Sequence, residues 1–194
     1  MAEVKKEKVR IVTPLGRISF PSIVKPDEGR QYSDGKYKAD LIIDKGVFKL
    51  QGAALREAVL KVAQEGFGKK LELSAFKNPF HDCDKKDGCP EFMKNSVQIR
   101  AKSTYAPLIV DANKKEMSME DREKIKGGDY CRFLVTVFHY SQSSGGVSLA
   151  LNVVQFVKSG EAFGSGKDAM LSMIDEIEVT PEDGLEELDS DMKF

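Results

Sequence analysis

Basic and aromatic residues recur together on several segments of this chain. Lys36, Tyr37 and Lys38 begin one alternating segment, and Arg100 and Lys102 lie on the polar side of another. Cationic side chains can follow the phosphates of a nucleic acid, and flat rings can stack on its bases. This combination indicates a surface that binds single-stranded nucleic acid without sequence preference.

The candidate binding residues form two groups. The cations suited to phosphates are Lys36, Lys38, Lys77, Arg100, Lys102 and Arg132. The rings suited to bases are Tyr37, Phe76, Phe80, Tyr105 and Tyr140. Single members have simpler explanations, because Tyr37 lies on the apolar side of its segment and a lysine on a polar strand face is usually only solvated. The groups therefore carry more weight than any one residue.

The distribution of charge also suits a polyanionic ligand. The 194 residues have a formal net charge of −1, yet nine acidic residues and a single lysine lie between Asp175 and Phe194. The rest of the chain holds 29 basic and 22 acidic residues, a net charge of +7 against −8 for this segment. A basic body suits a polyanion, and an acidic terminal block is typical of a disordered interaction tail.

Alternation of polar and apolar residues predicts the elements that position these side chains. Strands are expected at 8–13, 17–20, 36–43, 96–105, 129–140 and 147–157, with a further extended stretch at 106–111. Asp44 can cap one helix over 47–64, which Gly66 and Gly68 would end. Gly145 and Gly146 suit a hairpin loop between the last two strands.

These elements predict a mainly β protein, built as a five-stranded, partly open β-barrel with one inserted α-helix. The folded domain is expected to span 1–163. Residues 73–94 contain two prolines and Gly88 and are expected to form a long insertion or loop within it. Residues 164–194 are expected to be a flexible linker followed by the disordered acidic tail.

Other classes of protein are disfavoured. No stretch approaches the roughly 20 apolar residues that a membrane span needs, and three cysteines without a framework spacing favour a reducing cytosol. The sequence has no phosphate-binding glycine loop, nucleophile elbow or histidine-based acid–base set. Asp40, Asp44 and Asp111 are too scattered in sequence to suggest a metal-dependent nuclease. We therefore predict a binding protein with no enzymatic activity and no cofactor.

One segment leaves an alternative open. His81, Cys83 and Cys89 lie within nine residues, whereas a structural zinc site needs four nitrogen or sulfur ligands. A fourth ligand would have to come from Asp82, Cys131 or His139. There is no Cys-x-x-Cys pair, so the sequence favours unliganded thiols. The alternative is a zinc-containing nucleic-acid-processing module, either a nuclease or an annealing protein.

Three segments resemble a known family. The run 149–164 resembles the closing strand of bacteriophage single-stranded DNA-binding proteins, and 36–41 and 103–111 are similar to upstream parts of that family. The similarity extends over 9–163. It implies an oligonucleotide-binding fold (OB fold) and sequence-independent binding to single strands during phage DNA replication or recombination, in the cytoplasm of the bacterial host.

The resemblance further implies that the acidic tail contacts replication or recombination proteins. The candidate partner-binding residues are Asp189, Asp191 and Phe194. Such a tail can also lie in the basic groove as a mimic of DNA. Lys193 stands before Phe194 where related tails usually have an acid or proline, a departure that bears on which partner the tail would bind.

Overall fold

The fold is a twisted sheet whose strands turn apolar side chains towards one core. A computed structural model describes residues 8–29, 31, 33–68, 71–142 and 145–163. The strands among them are β1 (Val9–Val12), β2 (Gly16–Ser22), β3 (Tyr37–Asp44), β4 (Phe80–Asp82), β5 (Ser96–Ser103), β6 (Leu108–Val110), β7 (Tyr130–Tyr140) and β8 (Gly146–Lys158). The helices are α1 (Lys45–Gln51), α2 (Ala53–Phe67) and α3 (Met119–Glu123), with short 3-10 turns at Leu73–Ala75, Cys83–Lys85 and Glu91–Met93.

The strands pair in the order β4-β5-β3-β2-β7-β8-β6, and β1 pairs with β7 outside this path. The pairing of β6 with β8 is parallel, whereas the other strand pairs are antiparallel. The mainly β class is confirmed. The described residues form one unclosed sheet of eight strands, in which the short strands β1, β4 and β6 join five longer ones.

Apolar side chains that lie opposite one another on neighbouring strands cover the inner face of the sheet. Ile18 on β2 faces Leu41 on β3, which faces Ile99 on β5, and all three are fully buried. Helix α2 packs against the same core through residues such as Leu55 and Val59. Because alternate residues of a strand point to opposite faces, this arrangement leaves the polar residues of β2, β3 and β5 on the outer face.

The predicted helix over 47–64 is two helices that meet at Gly52. This glycine ends α1 and begins α2, and a Cβ placed on it would lie 2.7 Å from the ring of Phe48. The close approach leaves no room for a side chain where the two helices meet. The predicted cap is present, since Asp44 Oδ1 accepts hydrogen bonds from the amides of Gly46 (2.7 Å) and Val47 (3.2 Å).

The chain divides into two units, Met1–Phe163 and Gly164–Phe194. All described residues lie in the first unit, so the acidic tail with Asp189, Asp191 and Phe194 falls outside them. Among the described residues, none of the helices is long and apolar enough to cross a membrane.

Replacing Asp44 by alanine tests how the helix is attached to β3. The variant loses the cap of α1 and the hydrogen bond that Asn95 Nδ2 donates to Asp44 Oδ2 (2.9 Å). We expect the free energy of unfolding to fall by about 1–2 kcal/mol, as measured by urea denaturation. Glu57→Ala on the exposed side of α2 is the control and should change it by less than about 0.5 kcal/mol. Equal effects of the two substitutions would contradict the capping role.

Candidate nucleic-acid interface

The outer face of β3 and β5 brings the predicted cations together. The two strands pair without interruption from Tyr37 opposite Ser103 to Asp44 opposite Ser96. Within this register Lys38 lies directly opposite Lys102, and Asp40 lies directly opposite Arg100. Residues directly opposite each other share a face of the sheet. The prediction that Arg100 and Lys102 face away from the core is therefore confirmed.

Arg100 is held in place by a carboxylate beneath it. Asp40 is only 5% exposed, and its two oxygens accept from Nε and Nη2 of Arg100 at 3.1 Å each. Gln98 Nε2 donates a further hydrogen bond to Asp40. The hydrogen bond to Asp40 raises the pKa of Arg100. The Arg100 side chain remains 55% exposed, so donors that Asp40 does not use face the solvent.

Lys38 and Lys102 are countered by acids from the loop between β2 and β3. Lys102 Nζ lies 3.2 Å from Asp34 Oδ2, and Lys38 pairs with Asp27 and, at 3.8 Å, with Asp34. Burial acts to raise the pKa of Asp34, but the hydrogen bond and charge of Lys102, together with the charge of Lys38 and the backbone amide of Lys36, leave this pKa below its usual value. The Lys102–Asp34 pair is partly exposed on both sides, and ion pairs of that kind are weak. The Asp27 side chain is only 11% exposed, so its pair with Lys38 is more shielded from solvent.

A first hollow of about 510 Å³ lies over β2 and β3. It is lined by Phe20 together with Lys38, Asp40, Arg100 and Lys102. Phe20 is 67% exposed. Sequence reasoning missed this residue, and the only signal was the proline that follows it at the end of the predicted strand 17–20.

A second hollow of about 500 Å³ adjoins the first and shares Arg100 and Lys102 with it. Its other walls include Phe76, Lys77 and Tyr140. We call the two hollows together the cationic groove. Seven of the eleven predicted binding residues line it: Lys38, Phe76, Lys77, Phe80, Arg100, Lys102 and Tyr140.

Two of the predicted stacking rings in the groove also belong to the core. The ring of Phe80 lies 5.2 Å from that of Phe48, and the ring of Phe76 lies 5.9 Å from that of Phe67. Each is half-buried and offers only part of its surface to the second hollow. Desolvation, followed by the charge of Arg100, lowers the pKa of the neighbouring His81. This histidine is therefore neutral near pH 7 and adds no cation to the groove.

The remaining four predicted residues lie outside the groove. Tyr105 is 82% exposed in the turn after β5, and Lys36 and Tyr37 are half-buried where β3 begins. Arg132 lies on β7, which β2 and β3 separate from β5, and its Nε donates to Gln155 Oε1 at 2.7 Å. The alternating pattern of each strand predicted which face these side chains occupy, but it could not show which strands are neighbours in the sheet.

The insertion covers the other end of the same outer face. Cys83 and Met93 are buried against Ile42 of β3. The ring of Phe92 stacks on that of Phe163 at 4.2 Å, and the guanidinium of Arg17 on β2 lies 4.3 Å from the Phe163 ring. The groove is therefore open near Lys38 and closed near Ile42.

The candidate zinc ligands do not converge in the described part of the chain, where no three histidine, cysteine or acidic side chains are placed to hold a metal ion. Burial raises the pKa of the Cys83 thiol, and burial with the nearby Asp129 raises the pKa of Cys131 to about 12. Zinc binds the thiolate form. Asp82 is engaged by Lys45 at 2.6 Å. These contacts give no support to the zinc-containing alternative.

A larger hollow of about 920 Å³ lies between the 111–129 segment and β8. Its charged lining is mixed and comprises Asp111, Lys115, Glu116, Asp121, Arg122, Lys124 and Asp129. Four of these seven residues are acidic, so the hollow is a poor site for a polyanion.

Comparison with known proteins identifies the family. The sequence profile described as Enterobacter phage Enc34, ssDNA-binding protein, matches residues 9–183. The chain belongs to this family. It is also 25% identical over 175 residues to a protein named p50 from Acyrthosiphon pisum secondary endosymbiont phage 1, covering 87% of this chain and 94% of the relative. The family is one of binding proteins, which confirms the prediction of a non-enzymatic chain.

Solved phage proteins share the fold. The single-stranded DNA-binding protein from bacteriophage Enc34 in complex with ssDNA superposes with a TM-score of 0.69 at 18% identity, covering 80% of this chain and 89% of that one. Gp2.5, a single-stranded DNA-binding protein encoded by bacteriophage T7, gives a TM-score of 0.55 at 20% identity, covering 90% and 99%. At these identities the likeness establishes the fold alone.

The pairing of Arg100 with Asp40 predicts an asymmetric effect on stability. Arg100→Ala leaves a buried carboxylate with Gln98 as its remaining side-chain partner, so we expect the free energy of unfolding to fall by about 1–3 kcal/mol. Asp40→Asn in the same variant should recover most of the loss, because no buried charge remains. Lys102→Ala removes an exposed pair and should cost less than about 1 kcal/mol. Urea denaturation measures all three; a stable Arg100→Ala variant would mean that Asp40 is hydrated.

Proposed function

We propose that this chain binds single-stranded DNA without sequence preference, through the cationic groove. The observation that carries the proposal is that Arg100 and Lys102 form a shared wall between two hollows, each of which also has an aromatic lining. Cations flanked by rings are what an unpaired strand requires, because its phosphates and its base faces are both accessible. The groove offers charges and ring faces, which every nucleotide can engage.

We infer that the open sheet is a partly open barrel of the oligonucleotide-binding type. The segment before β4, at one end of the sheet, reaches β8, which lies next to the other end strand β6: the amide of Val147 donates to the carbonyl of Lys77 at 2.9 Å. The cationic groove then occupies the outer face of β2, β3 and β5. OB folds use a comparable strand face for oligonucleotides.

We place this activity in phage DNA replication or recombination, in the cytoplasm of the bacterial host. The support is membership of a phage family together with a fold shared with phage single-stranded DNA-binding proteins. Such proteins act on strands that a replication or recombination machine has separated. We accordingly propose two units, a DNA-binding domain over 1–163 and a linker with a tail over 164–194.

For the tail we propose two roles. Its charge of −8 opposes the +7 of the rest of the chain, so it can compete with DNA for the cationic groove, with a high effective concentration because it is tethered. DNA would in turn expel the tail and expose Phe194, with Asp189 and Asp191 beside it, to a replication or recombination protein.

Removing two groove lysines tests where phosphates bind. Lys77→Gln with Lys102→Gln should weaken the binding of a labelled oligothymidylate about tenfold near 0.1 M salt and reduce the salt slope by about 0.7 for each phosphate that the variant no longer neutralises. Fluorescence anisotropy titrations at several salt concentrations measure both quantities. The matched control, Lys49→Gln with Lys61→Gln on α1 and α2, changes the charge equally and should have little effect.

In the same titrations the unmodified protein should prefer the single strand to the corresponding duplex. Equal affinity for the two would overturn the proposed function. Equal reductions of affinity in the groove and helix variants would leave binding in place but show that it depends on overall charge and not on the groove.

Deleting residues 175–194 tests the first role of the tail. The deletion leaves segment 159–163 in place, where the Phe163 amide donates to Gly127 O at 3.2 Å. Affinity for single strands should rise, most clearly at low salt where screening is weakest. A variant with the nine tail acids changed to amides should behave like the deletion, and one with the tail sequence shuffled should behave like the intact protein. Unchanged affinity of the deletion at low salt would exclude competition by the tail.

A further inference from the structure

Phe20 is an exposed aromatic residue at an unusual backbone position. Its φ is +46°, in the left-handed region that residues other than glycine rarely adopt, and the residue is 67% exposed. A single exposed apolar side chain is ordinary on a protein surface. A ring that is exposed by a strained backbone is not ordinary, because strain of this kind persists only where the surrounding structure imposes it.

A β-bulge in β2 imposes this conformation. Ser19 pairs with Asp40 and Ser22 pairs with Lys38. Between these two pairs β2 advances by three residues while β3 advances by two. The extra residue falls at Phe20 and Pro21. On its other side β2 pairs with β7 only through Gly16 and Arg17, so the bulge breaks no ladder there. Bulges of this type redirect a side chain and are common beside functional sites.

The redirected residue and the cations border the same hollow. Phe20 lines the first hollow together with Lys38, Arg100 and Lys102. The β2 and β5 strands lie on either side of β3, so the backbone at Phe20 and the backbone that carries the two β5 cations are about two strand spacings apart, or roughly 10 Å. A ring at one edge of a cationic surface is the arrangement that allows a base to stack while its phosphate is neutralised.

We propose that Phe20 is a base-stacking residue of the cationic groove, held in position by the bulge at Phe20 and Pro21. The ligand is a nucleobase of a single-stranded DNA, with no preference among bases, because each base has a flat face to offer. This assignment rests on the proposed function and adds to it a contact on β2, opposite the aromatic lining of the second hollow.

The affinity of Phe20 variants tests the stacking contact. Phe20→Ala should weaken oligothymidylate binding about 5- to 150-fold, the range for removal of one base–ring stack, and should leave the salt slope unchanged because every cation of the groove is kept. Phe20→Tyr should bind like the unmodified protein. Phe20→Gly removes the backbone strain, so it should unfold at the same or a higher temperature and still bind weakly. Weak binding that appeared only together with reduced thermal stability would indicate a structural role instead.

A second measurement uses the absence of tryptophan from the sequence. In Phe20→Trp the introduced indole is the sole tryptophan, and stacking on a base should quench its fluorescence as oligothymidylate is added. Leu50→Trp on α1, where the natural side chain is 81% exposed, is the control and should not be quenched. Equal quenching of the two, or none at residue 20 at saturation, would overturn the assignment.

The two proposals fail differently. If the lysine variants of the groove bind more weakly while the Phe20 variants do not, single-strand binding stands and the stacking assignment is wrong. If the unmodified protein does not bind oligothymidylate at all, the proposed function fails before residue 20 is tested.

Discussion

The uninterrupted pairing of β3 with β5 places two lysines directly opposite each other. The surrounding structure must neutralise this pair of like charges. Like charges in a cross-strand pair repel and destabilise a sheet. Lys38 and Lys102 are tolerated because the loop between β2 and β3 brings Asp27 and Asp34 to them. An external anion would also relieve this repulsion. In the proposed complex a phosphate would supply that counter-charge in place of Asp34.

The cations of the groove differ in how firmly their carboxylate partners hold them. Arg100 is fixed by Asp40, a nearly buried acid that an incoming phosphate cannot displace without leaving a buried charge. Lys102 has a long flexible side chain and a partly exposed partner, Asp34, whereas Lys38 also pairs with Asp27, whose side chain is only 11% exposed. In the proposed complex Arg100 would keep its orientation while Lys102 transfers from Asp34 to a phosphate. Binding would then require little rearrangement of the sheet, because the backbone register of β3 and β5 already sets the spacing of the charges.

The sequence predicts which face a residue occupies far better than it predicts which strands are neighbours. Leu41, Ile99 and Arg100 lie on the faces that alternation predicts, since that periodicity is a local property of the strand. Arg132 satisfies the same rule and still lies outside the groove, because strand order is determined by long-range pairing. Phe20 escaped prediction for another reason: a bulge reverses the alternation at one residue, and only the register of β2 against β3 reveals it.

The insertion and the end of the domain determine how far the groove extends along β3. Lys38, Asp40 and Ile42 share the outer face of that strand, with about 7 Å between successive members. Ile42 is buried by Cys83 and Met93, whereas the surface at Lys38 is open, so the face changes from dry to solvated within four residues. In the proposed complex a bound strand could not continue along β3 past Asp40. The remaining direction would run across the strands, from Phe20 on β2 over Arg100 and Lys102 to the second hollow. Such a path would meet each β-strand at one or two side chains only, and contacts of that kind would track a backbone without reading a sequence.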